Sequence, residues 1–274
     1  NVNIKNMGSS SSLEGLNNLE TIGGNLEIHE YYLTSVKGLS KLQSIGSSFR
    51  VYDGRFTSFE GLENLTHIPG DLEIRDGDIT SFKGLSGLQS IGGSFKIITT
   101  NGLNSLVSFE GLDNLTSIKE NFEITTSGNY TALNALASFK GLENLASVGG
   151  NFEINTDGGL RTLASFEGLE NLASIDGNFE INANSGLSDL ASFEGLGNLT
   201  SIGGNFEINA TDSGLSTLAS FEGLGSLASI GGNFEINANG GNYTLNSLAS
   251  FEGLGKLASI GGNFEINTDG GLRT

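Results

Sequence analysis

Hydrophobic and polar residues alternate in short stretches that recur along the chain. In NFEIN (151–155), the alternation places the Phe and Ile side chains on one face and three polar side chains on the other, as in a β-strand with one buried side. The preceding stretch, GLENLASV (141–148), spaces its apolar residues three apart, which indicates a winding path with corners. Gly149 and Gly150 lie between the two stretches and predict a tight corner, where glycine reaches positive φ at little cost.

The same combination of a strand and a winding stretch recurs ten times and indicates a solenoid. Successive copies are 23 to 30 residues apart, and all of the variation lies between the strand and the next Ser-x-x-Gly-Leu stretch. Each turn therefore has a constant part, which must stack on its neighbours, and a loop, which need not. The glycines of the repeated Gly-Leu pair are Gly15, Gly38, Gly61, Gly84, Gly111, Gly141, Gly168, Gly195, Gly223 and Gly253.

Alignment of the turns places 16 of the 17 phenylalanines in two columns, which are the predicted core. Each buried aromatic or aliphatic side chain contributes about 1.5–3 kcal/mol, against about 1–2 kcal/mol per residue for ordering the backbone. One turn alone cannot be stable on these terms, whereas a stack of turns can. The sequence thus predicts an all-β fold, a parallel β-helix of about ten 23–30-residue turns, continuous over residues 1–274.

Two of the stretches, GLNNLETIGGNLEI (15–28) and GLENLTHIPGDLEI (61–74), resemble the receptor L domain. This domain is the ligand-binding β-helix of insulin-receptor and epidermal-growth-factor-receptor ectodomains, and it is related to leucine-rich repeats. The resemblance covers nearly the whole chain and implies a right-handed parallel β-helix, but it brings no catalytic residues. The turns here are more alike than those of the family, and they contain no cysteine. The shared pattern L-x-x-L-x-x-I-x-G-x-L-x-I is formed by Leu62, Leu65, Ile68, Gly70, Leu72 and Ile74.

Charge and loop length divide the predicted solenoid into two parts. Residues 1–107 form a part with short turns, in which outward positions alternate between acidic and basic residues, the favourable arrangement across neighbouring strands. Residues 108–274 form an acidic part with longer turns and a four-turn super-repeat, in which the sequence recurs with a period of 112 residues. The net charge of −18 disfavours nucleic acid and anionic membranes as partners. No apolar run reaches the roughly 18 residues of a membrane helix, so no membrane span is predicted.

The acidic part carries an uninterrupted row of strand glutamates. Neighbouring carboxylates about 4.8 Å apart repel by about 0.9 kcal/mol in water before salt screening, which is tolerable, so one interpretation is a solvated acidic face. Carboxylates beside asparagine carbonyl oxygens also suit a hard cation, so the other interpretation is a structural Ca²⁺; no other cofactor is predicted. The asparagine columns that flank the row are predicted to stack as amide ladders. The proposed calcium ligands are Glu153, Glu180, Glu207, Glu235 and Glu265.

Other candidate chemistry is sparse, and no enzymatic activity is predicted. The chain has no cysteine, no G-x-S-x-G and no HExxH motif, and its two histidines, His29 and His67, occupy different parts of the turn. Its six Asn-x-Ser/Thr sequons are about as many as chance predicts from the composition. Asn209 is set aside because it falls within a predicted amide ladder. The remaining glycosylation candidates are Asn129 and Asn242, in the two longest loops, and Asn64, Asn114 and Asn198.

The repeats predict a secreted or cell-surface structural protein. Asn1 to Ile4 align with a strand, and neither end of the sequence shows a capping turn, so the open faces are expected to add more chain. One interpretation is a part of a longer solenoid. The other is a subunit that stacks end to end on itself in a filament, a sheath or an adhesive surface layer. The alternative function is a ligand- or carbohydrate-binding module of the receptor L-domain type, with other extracellular proteins or glycans as partners.

Overall fold

The chain forms a continuous stack of parallel β-strands. The computed structural model describes residues 1–8, 12–128, 131–239 and 244–268. These ranges contain no α-helix, and one short 3-10 helix spans Lys37–Leu39. No helix within them has the length and apolar character needed to cross a lipid bilayer. The parallel strands stack in about ten turns, which confirms the predicted all-β solenoid.

One face of the solenoid is an eleven-stranded parallel sheet, here called the long-strand sheet, within the described ranges. Each strand pairs with the equivalent strands of the neighbouring turns in like-on-like register, so that Glu180 lies between Glu153 and Glu207. The Phe and Ile positions point inward, and the Glu and Asn positions are half-buried. The strands are Val2–Lys5, Leu26–His29, Phe49–Tyr52, Leu72–Arg75, Phe95–Thr99, Phe122–Thr126, Phe152–Asp157, Phe179–Asn184, Phe206–Thr211, Phe234–Ala238 and Phe264–Thr268.

A second face is built from two-residue strands, here called the short-strand sheet. The second residue of each strand is the more buried one, and it lies just before the corner that leads into the long-strand sheet. Two of these strands, Thr21–Ile22 and Ser44–Ile45, pair with each other. The other eight form one parallel sheet: His67–Ile68, Ser90–Ile91, Ser117–Ile118, Ser147–Val148, Ser174–Ile175, Ser201–Ile202, Ser229–Ile230 and Ser259–Ile260.

The core consists of two interlocked phenylalanine columns. In one column the Phe166 and Phe193 rings stack with centroids 5.6 Å apart, and in the other the Phe152 and Phe179 rings stack at 5.4 Å. The columns meet in tilted contacts such as Phe166–Phe179 at 5.8 Å, within the range of favourable aromatic pairs. All four side chains are fully buried. The predicted columns are therefore confirmed.

The corner at Gly149 and Gly150 is present, but the predicted reason for its glycines is wrong, because neither has positive φ. The preceding turn approaches too closely for a side chain. A Cβ on Gly149 would overlap the carbonyl oxygen of Lys119, and one on Gly150 would overlap the side chain of Asn121. Positive φ occurs instead at nine of the ten glycines of the Gly-Leu pairs, for example 100° at Gly141, and Gly38 is the exception. Glycine is needed at the corner for close stacking of turns.

Candidate functional surfaces

Opposite charges pair along the outside of the first turns. The Lys37 ammonium lies 2.8 Å from the Glu60 carboxylate, and Lys83 lies 3.2 Å from Glu110. The hydrogen bond and the charge of Glu60 raise the pKa of Lys37, and the same contact lowers the pKa of Glu60. Exposed pairs of this kind contribute little to stability. Their effect is to keep like charges from facing each other between neighbouring turns.

Arg50 is the centre of a denser ionic network on the long-strand sheet. Its guanidinium lies 2.9 Å from Asp71, 3.3 Å from Glu73 and 3.6 Å from Glu27. Burial alone would lower the pKa of Arg50, but the hydrogen bond with Asp71 and the charges of Asp71 and Glu73 outweigh it and raise the pKa. Arg75 also pairs with Glu73. The network joins three successive turns.

The uninterrupted glutamates form a single row on the long-strand sheet. Each carboxylate accepts a hydrogen bond from an asparagine two residues away in sequence; the Asn182 Nδ2–Glu180 Oε1 distance is 2.6 Å, and the Asn209 Nδ2–Glu207 Oε1 distance is 2.8 Å. Among the residues that the structure describes, no group of three or more His, Cys, Asp or Glu side chains is arranged to hold a metal ion. Calcium binding stays a prediction for Glu153, Glu180, Glu207, Glu235 and Glu265.

Calcium binding to this row predicts a higher melting temperature in CaCl2 than in a chelator at matched ionic strength. A ligand that binds only the folded state at 100 times its dissociation constant adds about 2.7 kcal/mol to the free energy of unfolding. Glu207→Gln, in the middle of the row, is expected to reduce the difference. Glu194→Gln, in the other outward glutamate column, is the matched control. Circular dichroism melting measures the effect, and equal melting temperatures in both buffers contradict the calcium site.

The two asparagine columns beside the glutamates have different roles. In one column, Asn182 Nδ2 donates to Asn155 Oδ1 at 2.6 Å and Asn209 Nδ2 donates to Asn182 Oδ1 at 2.7 Å, which confirms the predicted amide ladder. In the other column, the side-chain oxygen of Asn151 accepts a hydrogen bond from the backbone N–H of Asn178 at 2.9 Å. This second column satisfies backbone donors at the corner and is therefore not an amide ladder.

Three of the glycosylation candidates lie in a third asparagine column. Their Nδ2 atoms donate to backbone carbonyl oxygens of the preceding turn, and a glycan would be attached through this same nitrogen. A glycan on any of these asparagines would disrupt its hydrogen bond to the preceding turn. Glycosylation of these three residues stays a prediction. Asn129 and Asn242 lie outside the described residues. The donor–acceptor pairs are Asn64 with Ser40 at 2.9 Å, Asn114 with Ser86 at 2.7 Å and Asn198 with Glu170 at 2.6 Å.

The two histidines do not come together. His29 stacks on Tyr52 with ring centroids 4.0 Å apart. His67 Nδ1 lies 2.7 Å from the Ser90 hydroxyl on the exposed short-strand sheet. No carboxylate of a described residue pairs with the other ring nitrogen of His67, so the contact lacks the third member of a nucleophile–base–acid set. The expected absence of enzymatic activity stays a prediction.

A cleft of about 480 Å³ lies at the side of the early turns, where three successive long strands end. Its lining includes Tyr31, Asp53, Arg55, Asp78 and Asn101. The sequence reasoning missed these residues because they are spread over four loops, with only Asp53 and Arg55 in the same one. The available signal was an Asp-Gly or Asn-Gly pair just after three successive long strands, at 53–54, 76–77 and 101–102. Stacking brings these pairs together.

No protein-family model matches the chain, and no curated protein matches it. The structure supports a β-solenoid of stacked repeats. The resemblance to receptor L domains therefore rests on the sequence pattern alone.

Proposed function

We propose that the chain is an extracellular structural repeat protein that associates end to end in a filament, a sheath or an adhesive surface layer. The observation that carries this proposal is the self-complementarity of its turns. Each turn stacks equivalent side chains on the turns before and after it. For example, the Phe179 ring stacks on Phe152, and the Asn182 side chain donates a hydrogen bond to Asn155. The first turn of a second copy offers apolar residues at the inward positions of the strand, Val2 and Ile4, which pair in register with Leu26 and Ile28, so it can continue the stack.

The last described turn exposes the surface that internal turns bury. Phe264 is 53% exposed and Phe251 is 44% exposed, whereas Phe234 and Phe221, their equivalents one turn earlier, are fully buried. Strand Phe264–Thr268 is at the edge of the long-strand sheet, and such an edge is a template for further pairing. A further turn stacked here, from the same chain or from a second copy, would bury two aromatic rings and pair the edge strand.

The proposal includes membership in the right-handed β-helices of the receptor L-domain or leucine-rich-repeat type. The sequence pattern supports this classification, and the apolar positions that define it, such as Leu62, Leu65 and Ile68, are fully buried. A secreted or cell-surface location, predicted from the repeats, is part of the same proposal. The proposed partner is another copy of the chain, and no catalytic residue is assigned. The cleft beside Tyr31 favours ligand binding as a second function, which is compatible with assembly through the ends.

Sedimentation velocity and electron microscopy of the purified chain test the assembly. We expect a sedimenting mass that grows with concentration, and rods longer than the roughly 48 Å of ten turns at about 4.8 Å per turn. Phe264→Lys is expected to suppress assembly, because it places a charge in the apolar contact between copies.

Val107→Lys is the matched control, because Val107 has the same 53% exposure as Phe264 but lies in a loop at the side of the stack. It is expected to leave assembly unchanged. A chain that stays monomeric at every concentration, or equal assembly of the two variants, contradicts the proposal.

A further inference from the structure

Tyr31 lies in the wall of the cleft, in contact with the side chains of Arg55 and Tyr32. The Arg55 guanidinium lies 4.7 Å from the centroid of the Tyr31 ring, and Arg55 Nε lies 4.0 Å from the Asp78 carboxylate. The Tyr32 ring meets the Tyr31 ring edge to face at 5.4 Å. Tyr31 nevertheless remains 54% exposed. A cation–π contact and an aromatic contact thus hold in place a ring whose remaining surface is open to solvent.

The lining of the cleft includes bare backbone, because side chains do not fit at its glycines. A Cβ on Gly77 would lie 2.7 Å from the carbonyl oxygen of Gly54, and one on Gly102 would lie 3.0 Å from the Cα of Asp76. Glycine at these positions lets successive turns stack closely, and no side chain covers the main chain there. A second cleft of about 260 Å³ shares Gly77 and Gly102 with the first. The two clefts therefore form one groove that suits a ligand with consecutive units.

The groove offers hydrogen-bond acceptors and donors side by side. Within the described residues, the exposed Asp53 carboxylate and the exposed Asn101 side-chain amide have no hydrogen-bond partner in the protein, while Arg55 supplies further donors. Asp76 differs, because its Oδ1 accepts hydrogen bonds from Thr99 at 2.7 Å and from the backbone of Thr100 at 2.9 Å. Asp76 therefore holds the loop, and the other side chains remain available to a ligand.

We propose that this groove binds a neutral saccharide chain. A cation would use acceptors alone and an anion would use donors alone, whereas sugar hydroxyls use both. The exposed Tyr31 ring supplies the apolar contact for one face of a sugar. Asp53 and Asp78 accept hydrogen bonds from hydroxyl groups, and Asn101 and Arg55 donate to them. The groove lies on the side of the solenoid, so binding does not depend on assembly through the ends.

Titration of the full chain with maltotriose, cellotriose, mannotriose and N-acetylchitotriose tests the proposal. Isothermal calorimetry measures affinity, and tyrosine fluorescence provides a second readout because the chain has no tryptophan. We expect at least one trisaccharide to bind. Tyr31→Ala and Asp53→Asn are each expected to weaken that binding by about tenfold or more, whereas Tyr31→Phe is expected to retain most of it.

Asp189→Asn is the matched control, since Asp189 is an exposed loop carboxylate far along the stack, and it is expected to leave affinity unchanged. Far-UV circular dichroism verifies that each variant is folded, as expected for substitutions at exposed positions. The proposal is overturned if none of the four trisaccharides binds, if Tyr31→Ala binds as tightly as the parent chain, or if spermidine binds more tightly than every trisaccharide.

Discussion

Replacing Phe179 with alanine is expected to lower the free energy of unfolding by about 3–5 kcal/mol. Phe179 is fully buried, and its ring lies 5.4 Å from Phe152, 5.2 Å from Phe206 and 5.8 Å from Phe166. Parallel ladders on both sides fix the spacing of the backbone, so the neighbouring rings cannot close the cavity. Urea denaturation followed by circular dichroism measures the loss.

Phe264→Ala in the same column is the matched control. In the monomeric chain Phe264 is 53% exposed and stacks on one ring of its column, Phe234, at 4.9 Å, so we expect a loss of about 1 kcal/mol at protein concentrations below those at which copies associate. Because contacts in a solenoid are between neighbouring turns, the central substitution is also expected to divide unfolding into two transitions. Equal losses for the two variants would show that the phenylalanine columns are not the stabilising core.

The repeated strands could be predicted because their signal is local and recurs in every turn. Alternation in NFEIN fixes which side chains point inward, and repetition fixes the register, so the stacking of Phe152 on Phe179 followed from the sequence. The loops gave no such signal. Leu160 and Leu187 adopt φ of 55° and 54° and are fully buried, although this conformation costs about 1–2 kcal/mol for a residue with a Cβ. Burial of the leucine in the core overrides the local preference.

Surface contacts could be predicted where they join equivalent residues of successive turns. Alternating charges and the amide ladder of Asn155 and Asn182 are set by the register alone, so the sequence was sufficient. The Asn151 column was assigned the wrong partner, because its hydrogen bond depends on where the corner leaves a backbone N–H. The cleft beside Tyr31 was missed, because its residues come from separate loops, and the Asp-Gly and Asn-Gly pairs that mark it lie outside the constant part of the repeat.

Alanine at Gly195 is expected to lower the free energy of unfolding by about 3 kcal/mol or more. Gly195 has a φ of 104°, and a Cβ there would overlap the carbonyl group of Phe166 in the preceding turn. The variant must therefore both strain its backbone and push two turns apart. Gly197→Ala, two residues later, is the control: Gly197 lacks positive φ and a Cβ there meets nothing within 4 Å, so we expect stability to rise by about 0.4–1 kcal/mol. Urea denaturation measures both changes in the free energy of unfolding. Similar changes for the two variants would show that the close contact at Gly195 does not determine the distance between stacked turns. Other residues would then set the spacing on which end-to-end association depends.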